Sequence, residues 1–532
     1  MNDTTFDYII VGAGAAGSVL ANRLSENPKN SVLLLEFGGS DGYFMHRIPK
    51  GFFFTLNSDR YAYRYPTKPF RENGEGEVWA RGKVTGGSTT INGMMYMRGF
   101  ARDWDPIAED NPGWGWRDIL PIYRGMENHV LGASEVRGGD GPYGVSFAEI
   151  DDVSRRILDA GWSAGYEIVE DNNATDSKRI GMTPSSVRYG KRVSAASAFL
   201  HPVLRRKNLT YQTRTRVGFL TFEGNQVTGV LTQHKGKQQT YTARKEVILA
   251  GGSVETTMLL ERSGIGRGDA LTKAGVRPRI ESPNVGERVI EQRGVAMQVK
   301  FKEPIGLTQR LNSTPKQGWE GFKYLLTGKG PVADAGYNLL AGMKSSDDLA
   351  AADIQGLFVP MALDAESFDK VQLAEHSGAM FMGYQIKPTT ESSIHITGAN
   401  PDTPPVVDAH YLESELDRKV TSTILDRGRE VFAQSALADL ISEEEYPGPA
   451  VSTEEQVLDY ALNNGATIYH AVGAAAMGPN DDDVVDSRLR VRGVSGLRVA
   501  DASVLPTQVS GNTAAPVMAV GWRASDFILD DN

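Results

Sequence analysis

The feature that most constrains this chain lies at its start. Gly12-Ala-Gly14-Ala-Ala-Gly17 follows the apolar run Asp7-Tyr-Ile-Ile-Val11 and opens Ala15–Leu24, where Val19, Leu20 and Leu24 share one helical face. The run is rich in β-formers and suits a buried parallel strand. The helix is predicted to stop near Asn27-Pro28, because proline blocks continuation. Ser31-Val-Leu-Leu-Leu-Glu36 reads as a second buried strand, completing a βαβ unit. In such a turn Gly12 permits the tight bend, Gly14 admits a pyrophosphate to the backbone and Gly17 lets helix pack on strand. Ala15 and Ala16 then belong to a helix N-terminus that faces phosphate charge. Glu36, nineteen residues after Gly17, stands where an acid binds ribose hydroxyls. The pattern predicts a bound dinucleotide and does not separate FAD from NAD.

The remaining 500 or so residues must explain the rest. A chain of 532 residues, 40% hydrophobic and 23% charged, suits a soluble globular protein of two domains or one composite domain. A net charge of −10 argues against nucleic acid or an anionic membrane as the main partner. The absence of cysteine excludes disulfides, thiolate nucleophiles, cysteine-ligated metals and cysteinyl flavin links. Met1–Asp7 is polar and acidic, unlike a secretory signal, and no run approaches the ~18 apolar residues of a membrane helix. A cytoplasmic protein without a transmembrane segment is expected.

Residues of about 40–80 read as irregular, and Arg216–Leu231, with Gly224-Asn225, reads as a hairpin. Glu246-Val-Ile-Leu-Ala250 is another buried strand leading into Gly251-Gly252, and Ala515–Leu529 reads as a helix. The expected fold is α/β: a Rossmann-like nucleotide domain from segments 1–40, 75–145, 190–300 and 460–532. Segments 41–74, 146–189 and 301–459 are assigned to an α+β substrate or cap domain built on a β-sheet. Glu443–Glu445 reads as an exposed helix end, and Asp481–Asp483 with Asp486 as a solvated turn, its spacing failing the calcium-loop pattern. No metal site is expected.

Four further segments carry a family resemblance. Arg81-Gly-Lys-Val-Thr-Gly-Gly-Ser-Thr-Thr-Ile-Asn-Gly93, with Arg98-Gly99, and Gly252–Gly266 resemble two signatures of the glucose–methanol–choline (GMC) oxidoreductases. Asn111-Pro-Gly-Trp-Gly-Trp116 and the stretch from Tyr469-His470 through Leu497–Ser503 to Gly511-Asn-Thr513 match others, in the family's order. Within that family the look is closest to bacterial aryl-alcohol and hydroxymethylfurfural oxidases and choline-dehydrogenase-like enzymes. The resemblance implies FAD as the cofactor. It implies contacts from Arg81, Gly86, Gly87 and the Ser88 hydroxyl, and it sets Asn92, Gly93, Met94 and Met95 along the flavin ring. Val217 corresponds to the residue whose backbone meets adenine. Asp501, followed by Ala502, corresponds to an acid beside pyrophosphate and flavin, with helix capping as its plain alternative. Some relatives tether FAD through a histidine that is Ile91 here, so noncovalent FAD is expected. Val285-Gly-Glu-Arg-Val-Ile-Glu-Gln292 departs from the usual Gly-x-Asn-Leu-x-Asp-His, and no contact is assigned there.

Alcohol oxidation requires a base for the hydroxyl proton while hydride leaves the carbon, and neutral histidine suits that task. His470 matches the family's catalytic histidine and Asn512, forty-two residues on, its partner; Tyr469 and Thr513 flank them. The implied reaction takes a primary alcohol, benzylic, allylic or furanic, to the aldehyde, with dioxygen as acceptor. A quinone or other acceptor, a lyase or photoenzyme on the same scaffold, and a non-catalytic flavoprotein remain the alternatives. The other seven histidines default to structural or surface roles.

Overall fold

The computed structural model describes residues 4–364 and 372–531. Residues 1–3, from the polar N-terminal stretch, and 365–371, from the expected cap, lie outside the described residues. Thr5–Val11 and Val32–Leu35 are parallel strands joined through the helix Ala15–Leu24, so the βαβ unit forms as read. Thr5–Val11 pairs on its other side with Lys237–Leu249, which in turn takes Leu497–Val499 as a parallel neighbour. Leu209–Gln212 adds to Val32–Leu35, and the hairpin Thr215–Glu223/Gln226–His234 completes a seven-stranded sheet. Tyr8, Ile9, Ile10, Leu33, Leu34, Val247 and Ile248 are fully buried, which explains why these strands read as unbroken apolar runs. Ala15–Leu24 packs against the C-terminal helix Ala514–Asp531 so closely that a Cβ on Gly521 would lie 2.7 Å from Ala16 Cα. Arg23 locks the same two helices through Asp526 at 2.6 Å.

A second, eight-stranded sheet stands apart from the first. Its order is Ile441–Tyr446, Arg293–Phe301, Gly378–Gln385, Ile354–Val359, Leu339–Met343, Arg179–Met182 and Glu167–Ile168, with Ala466–Thr467 also pairing with Arg293–Phe301. Helices Asp152–Ser163, Ile424–Phe432 and Glu454–Asn464 cover one face through Ile157, Ile424, Phe432 and Val457. Period-two alternation then sends Phe358 and Phe381 into that core, while Leu357, Val359, Met380 and Met382 point the other way, into a cavity.

The structure differs from the sequence reading at several points. Arg293–Phe301 lies in the second sheet, although residues 190–300 are assigned to the nucleotide part. A boundary at 74/75 would cut the hairpin Ala62–Pro66/Val78–Gly82, and residues 40–80 also hold the helix Phe52–Leu56. Glu443–Glu445 lies in an edge strand, not at a helix end. Glu444 pairs with Arg429 and Glu443 with Lys300, charges that guard an exposed edge from further pairing. Asp482 and Asp483 sit in a turn, both held by Arg288. Among the described residues no helix is long and apolar enough to cross a membrane.

Candidate active site

The two sheets enclose one cavity of about 960 Å³. Every residue named above for cofactor or substrate lines it except Gly17 and Gly86. Those two serve the turn itself. A Cβ on Gly17 would lie 1.9 Å from Gly12 O, and Gly86, at φ +86°, donates its N–H to Ala13 O at 2.7 Å. Gly12 needs φ +104° and has Ala250 O only 2.4 Å from a would-be Cβ. Gly14 is different: its would-be Cβ meets nothing nearer than 3.9 Å. Its open side faces the cavity, as a backbone that receives a pyrophosphate must.

Glu36 is gripped by the same turn. Its Oε2 accepts from Ala13 N at 2.9 Å and its Oε1 from Gly38 N at 2.6 Å. Burial still pushes its carboxyl up to about 7. Ser88 exposes its hydroxyl side to the cavity, with Oγ accepting from Gly82 N at 3.0 Å. Asp501 takes the capping role. Its Oδ2 accepts from Gly252 N and Thr256 Oγ1 at the start of the helix Gly252–Arg262, and its Oδ1 from Ser503 N and Oγ. The carboxylate thereby ties the second signature to the C-terminal segment that carries Asn512 and Thr513.

At the opposite end the site is made of side chains. Asn512 Nδ2 lies 3.1 Å from His470 Nε2, and His470 Nδ1 lies 2.7 Å from Gln292 Oε1. Glu291 anchors the main chain beside them, accepting from His470 N and Ala471 N and pairing with Arg81 at 3.1 Å. Tyr469 before His470 sits at φ +65° and Met94 opposite at φ +67°, left-handed conformations that non-glycine residues hold only when surroundings force them. Burial, aided by the positive Arg81, pulls the His470 imidazole down to about 3, so it stands neutral at working pH. The second sheet supplies the wall above this pair. Cross-strand partners Gln355/Tyr384, Leu357/Met382 and Val359/Met380 run from a polar end at Asn512 to an apolar end. Phe52 and Phe53 line the cavity too, whereas Phe358 faces the core, tilted against Phe381 and edge-on to Phe432.

Sequence reasoning missed Gln292, Glu291, Gln355 and the methionine-rich wall. The family departure at Val285–Gln292 was the one signal, since it marks the segment that leads into the strand Arg293–Phe301 and backs His470. Nothing local distinguishes Gln355 from any buried polar strand residue.

The nucleotide turn, the paired sheets and a neutral histidine in the cavity define a dinucleotide-dependent oxidoreductase. Two family profiles described as GMC oxidoreductase match residues 6–292 and 388–521. Oxygen-dependent choline dehydrogenase of Vibrio vulnificus is 36% identical over 98% of this chain and 94% of its own, and that of Staphylococcus xylosus 35%, over 98% and 95%. Among solved structures, pyridoxine 4-oxidase from Mesorbium loti is similar at TM-score 0.88 and 28% identity, covering 98% of each chain. A fungal aryl-alcohol oxidase shares the fold at TM-score 0.84 and 21% identity, covering 100% of each. The chain belongs to the GMC oxidoreductase family and is an FAD-dependent enzyme acting on CH–OH donors.

Proposed function

We propose that this enzyme oxidises an uncharged primary alcohol, one carrying an apolar aromatic or allylic group, to the aldehyde. The observation that carries the reading is the His470–Asn512 pair, 3.1 Å apart in the cavity. His470 Nε2 takes the hydroxyl proton, and Asn512 holds the same oxygen and fixes the direction of the carbon–hydrogen bond. FAD, when bound, would supply the acceptor for the hydride leaving that carbon and pass the electron pair on to dioxygen or another acceptor. Gly14, Glu36, Ser88 and the main chain of Val217 are the groups suited to its dinucleotide part, and Asn92–Met95 and Tyr469 to its ring. Noncovalent attachment is supported by Ile91, a buried side chain with no nucleophilic atom, packed on Ala62 and Val84. Release of the flavin on acid precipitation checks this.

The relatives' names raise choline, and with it a cationic substrate. The four carboxylates that line the cavity among the described residues are already engaged: Glu36 and Asp501 as above, Glu77 by Arg293 and Tyr411, Glu255 by Tyr65. The wall beside the base is Met, Leu, Val and Tyr, which favours an apolar substituent. Dioxygen as acceptor is supported by the oxygen-dependent and oxidase names of the relatives; a quinone would serve the same half-reaction. The test is anaerobic flavin reduction by a panel spanning cinnamyl and benzyl alcohols and choline, followed by reoxidation with dioxygen or an artificial acceptor. His470→Ala is expected to retain FAD and to lose about 10²- to 10⁴-fold in reduction rate. Near-normal reduction by that variant would refute the role.

A further inference from the structure

Gln292 has no place in the scheme so far, yet it touches the base from behind. Its side chain is fully buried. Its Nε2 donates to Gln385 O at 3.2 Å and to Ile386 O at 2.7 Å. Two carbonyls accept only, so this side of the amide must be the NH₂ and the side facing His470 must be the oxygen. An amide oxygen 2.7 Å from Nδ1 is an acceptor and requires a proton on Nδ1. With that proton on Nδ1 and the ring neutral, Nε2 carries the lone pair. Asn512 then turns its NH₂ to Nε2 at 3.1 Å, and its Oδ1 accepts from Gln355 Nε2 at 3.2 Å. An NH₂ beside Nε2 is compatible only with a lone pair there.

We infer that Gln292 is a positioning residue that locks His470 in the Nδ1–H tautomer and so leaves Nε2 as the unprotonated atom facing the substrate hydroxyl. The inference rests on the alcohol-oxidation reading for its consequence, but the proton on Nδ1 follows from the Gln292 contacts alone. The lock originates in the second sheet. Gln385 and Tyr384 end one strand and Gln355 lies on its neighbour, with Tyr384 and Gln355 in register. The main chain of the base is held separately, by Glu291 and by Gln508 Nε2 on His470 O at 2.8 Å. Replacing Gln292 therefore leaves the position of the backbone intact and removes only the direction of the ring.

The experiment uses the FAD-loaded enzyme with ¹⁵N-labelled histidine, the His470 resonances identified by their loss in His470→Asn. The wild type is expected to show a protonated Nδ1 and an unprotonated Nε2. Gln292→Leu is expected to lose that single pattern. Its limiting anaerobic flavin-reduction rate should fall about 10- to 100-fold at unchanged alcohol dissociation constant and flavin content. Gln292→Glu is the conservative rescue: facing two carbonyls, its carboxyl keeps a proton, donates it to one of them and still offers Nδ1 an oxygen. It should restore both tautomer and rate near pH 6. A protonated Nε2 in the wild type would overturn the inference, as would a Gln292→Leu variant with unaltered tautomer and rate, or failure of Gln292→Glu to restore either. If the tautomer pattern holds while no alcohol reduces the flavin, the alcohol reading fails and the positioning role stands.

Discussion

At the nucleotide end of the cavity the backbone makes the surface, and at the base end side chains do. Gly12, Gly14 and Gly17 work by having no Cβ, within six residues of chain. His470, Asn512, Gln292 and Gln355 work by aiming amides and an imidazole at one another, and they come from four separate segments. A site built from backbone depends on local steric freedom and tolerates change around it. A site built from side chains depends on two sheets arriving in register, and its precision is held by hydrogen bonds that each have a single allowed direction.

That contrast can be broken by substitution. The largest effect is expected from Gly17→Ala, whose Cβ would lie 1.9 Å from Gly12 O. Overpacking of this kind costs about 1–3 kcal/mol or more, and both thermal stability and flavin content should fall. Gly14→Ala meets no protein atom nearer than 3.9 Å. It should leave the apoprotein's melting temperature unchanged while weakening FAD binding; equal destabilisation by both variants would erase the distinction between packing and ligand glycines. Next in size is Met382→Ala on the apolar wall. Loss of that contact should reduce kcat/KM for a benzylic or allylic alcohol about tenfold and leave flavin content untouched. A further effect concerns acid. Because the folded-state pKa of His470 lies below its unfolded value, the unfolded chain binds more protons between about pH 6.5 and about 3. Stability should fall as pH drops through that window, and less steeply in His470→Asn, measured by denaturant titration at several pH values.

The same contrast explains what could be read from residues alone. The βαβ unit was legible because its signals are local: an apolar run, glycines at fixed spacing, proline after the helix and an acid at the next strand end. His470 and Asn512 needed the family resemblance, since a histidine among small apolar residues carries no mark of its task. Glu443–Glu445 misled because three acids read as solvated helix, while the pairing that makes them a strand comes from Arg293–Phe301, far away in sequence. Phe358 is core while its neighbours Leu357 and Val359 are wall, a choice made by strand register alone.

The strand order also sets a timetable. Thr5–Val11 takes its partner from Lys237–Leu249, and that strand takes its next parallel neighbour from Leu497–Val499. Ala15–Leu24 packs most extensively on the last helix, Ala514–Asp531, besides Ala196–Leu200 and its own sheet. On a ribosome adding about 5–20 residues per second, the first βαβ unit waits on the order of half a minute or more for its final strand and helix. Asn512 and Thr513 immediately precede that last helix, so the cavity and the His470–Asn512 pair are completed by the same late event. A nascent or C-terminally shortened chain therefore exposes an apolar sheet edge and has no finished cofactor site, making the tail of this protein the checkpoint for its assembly.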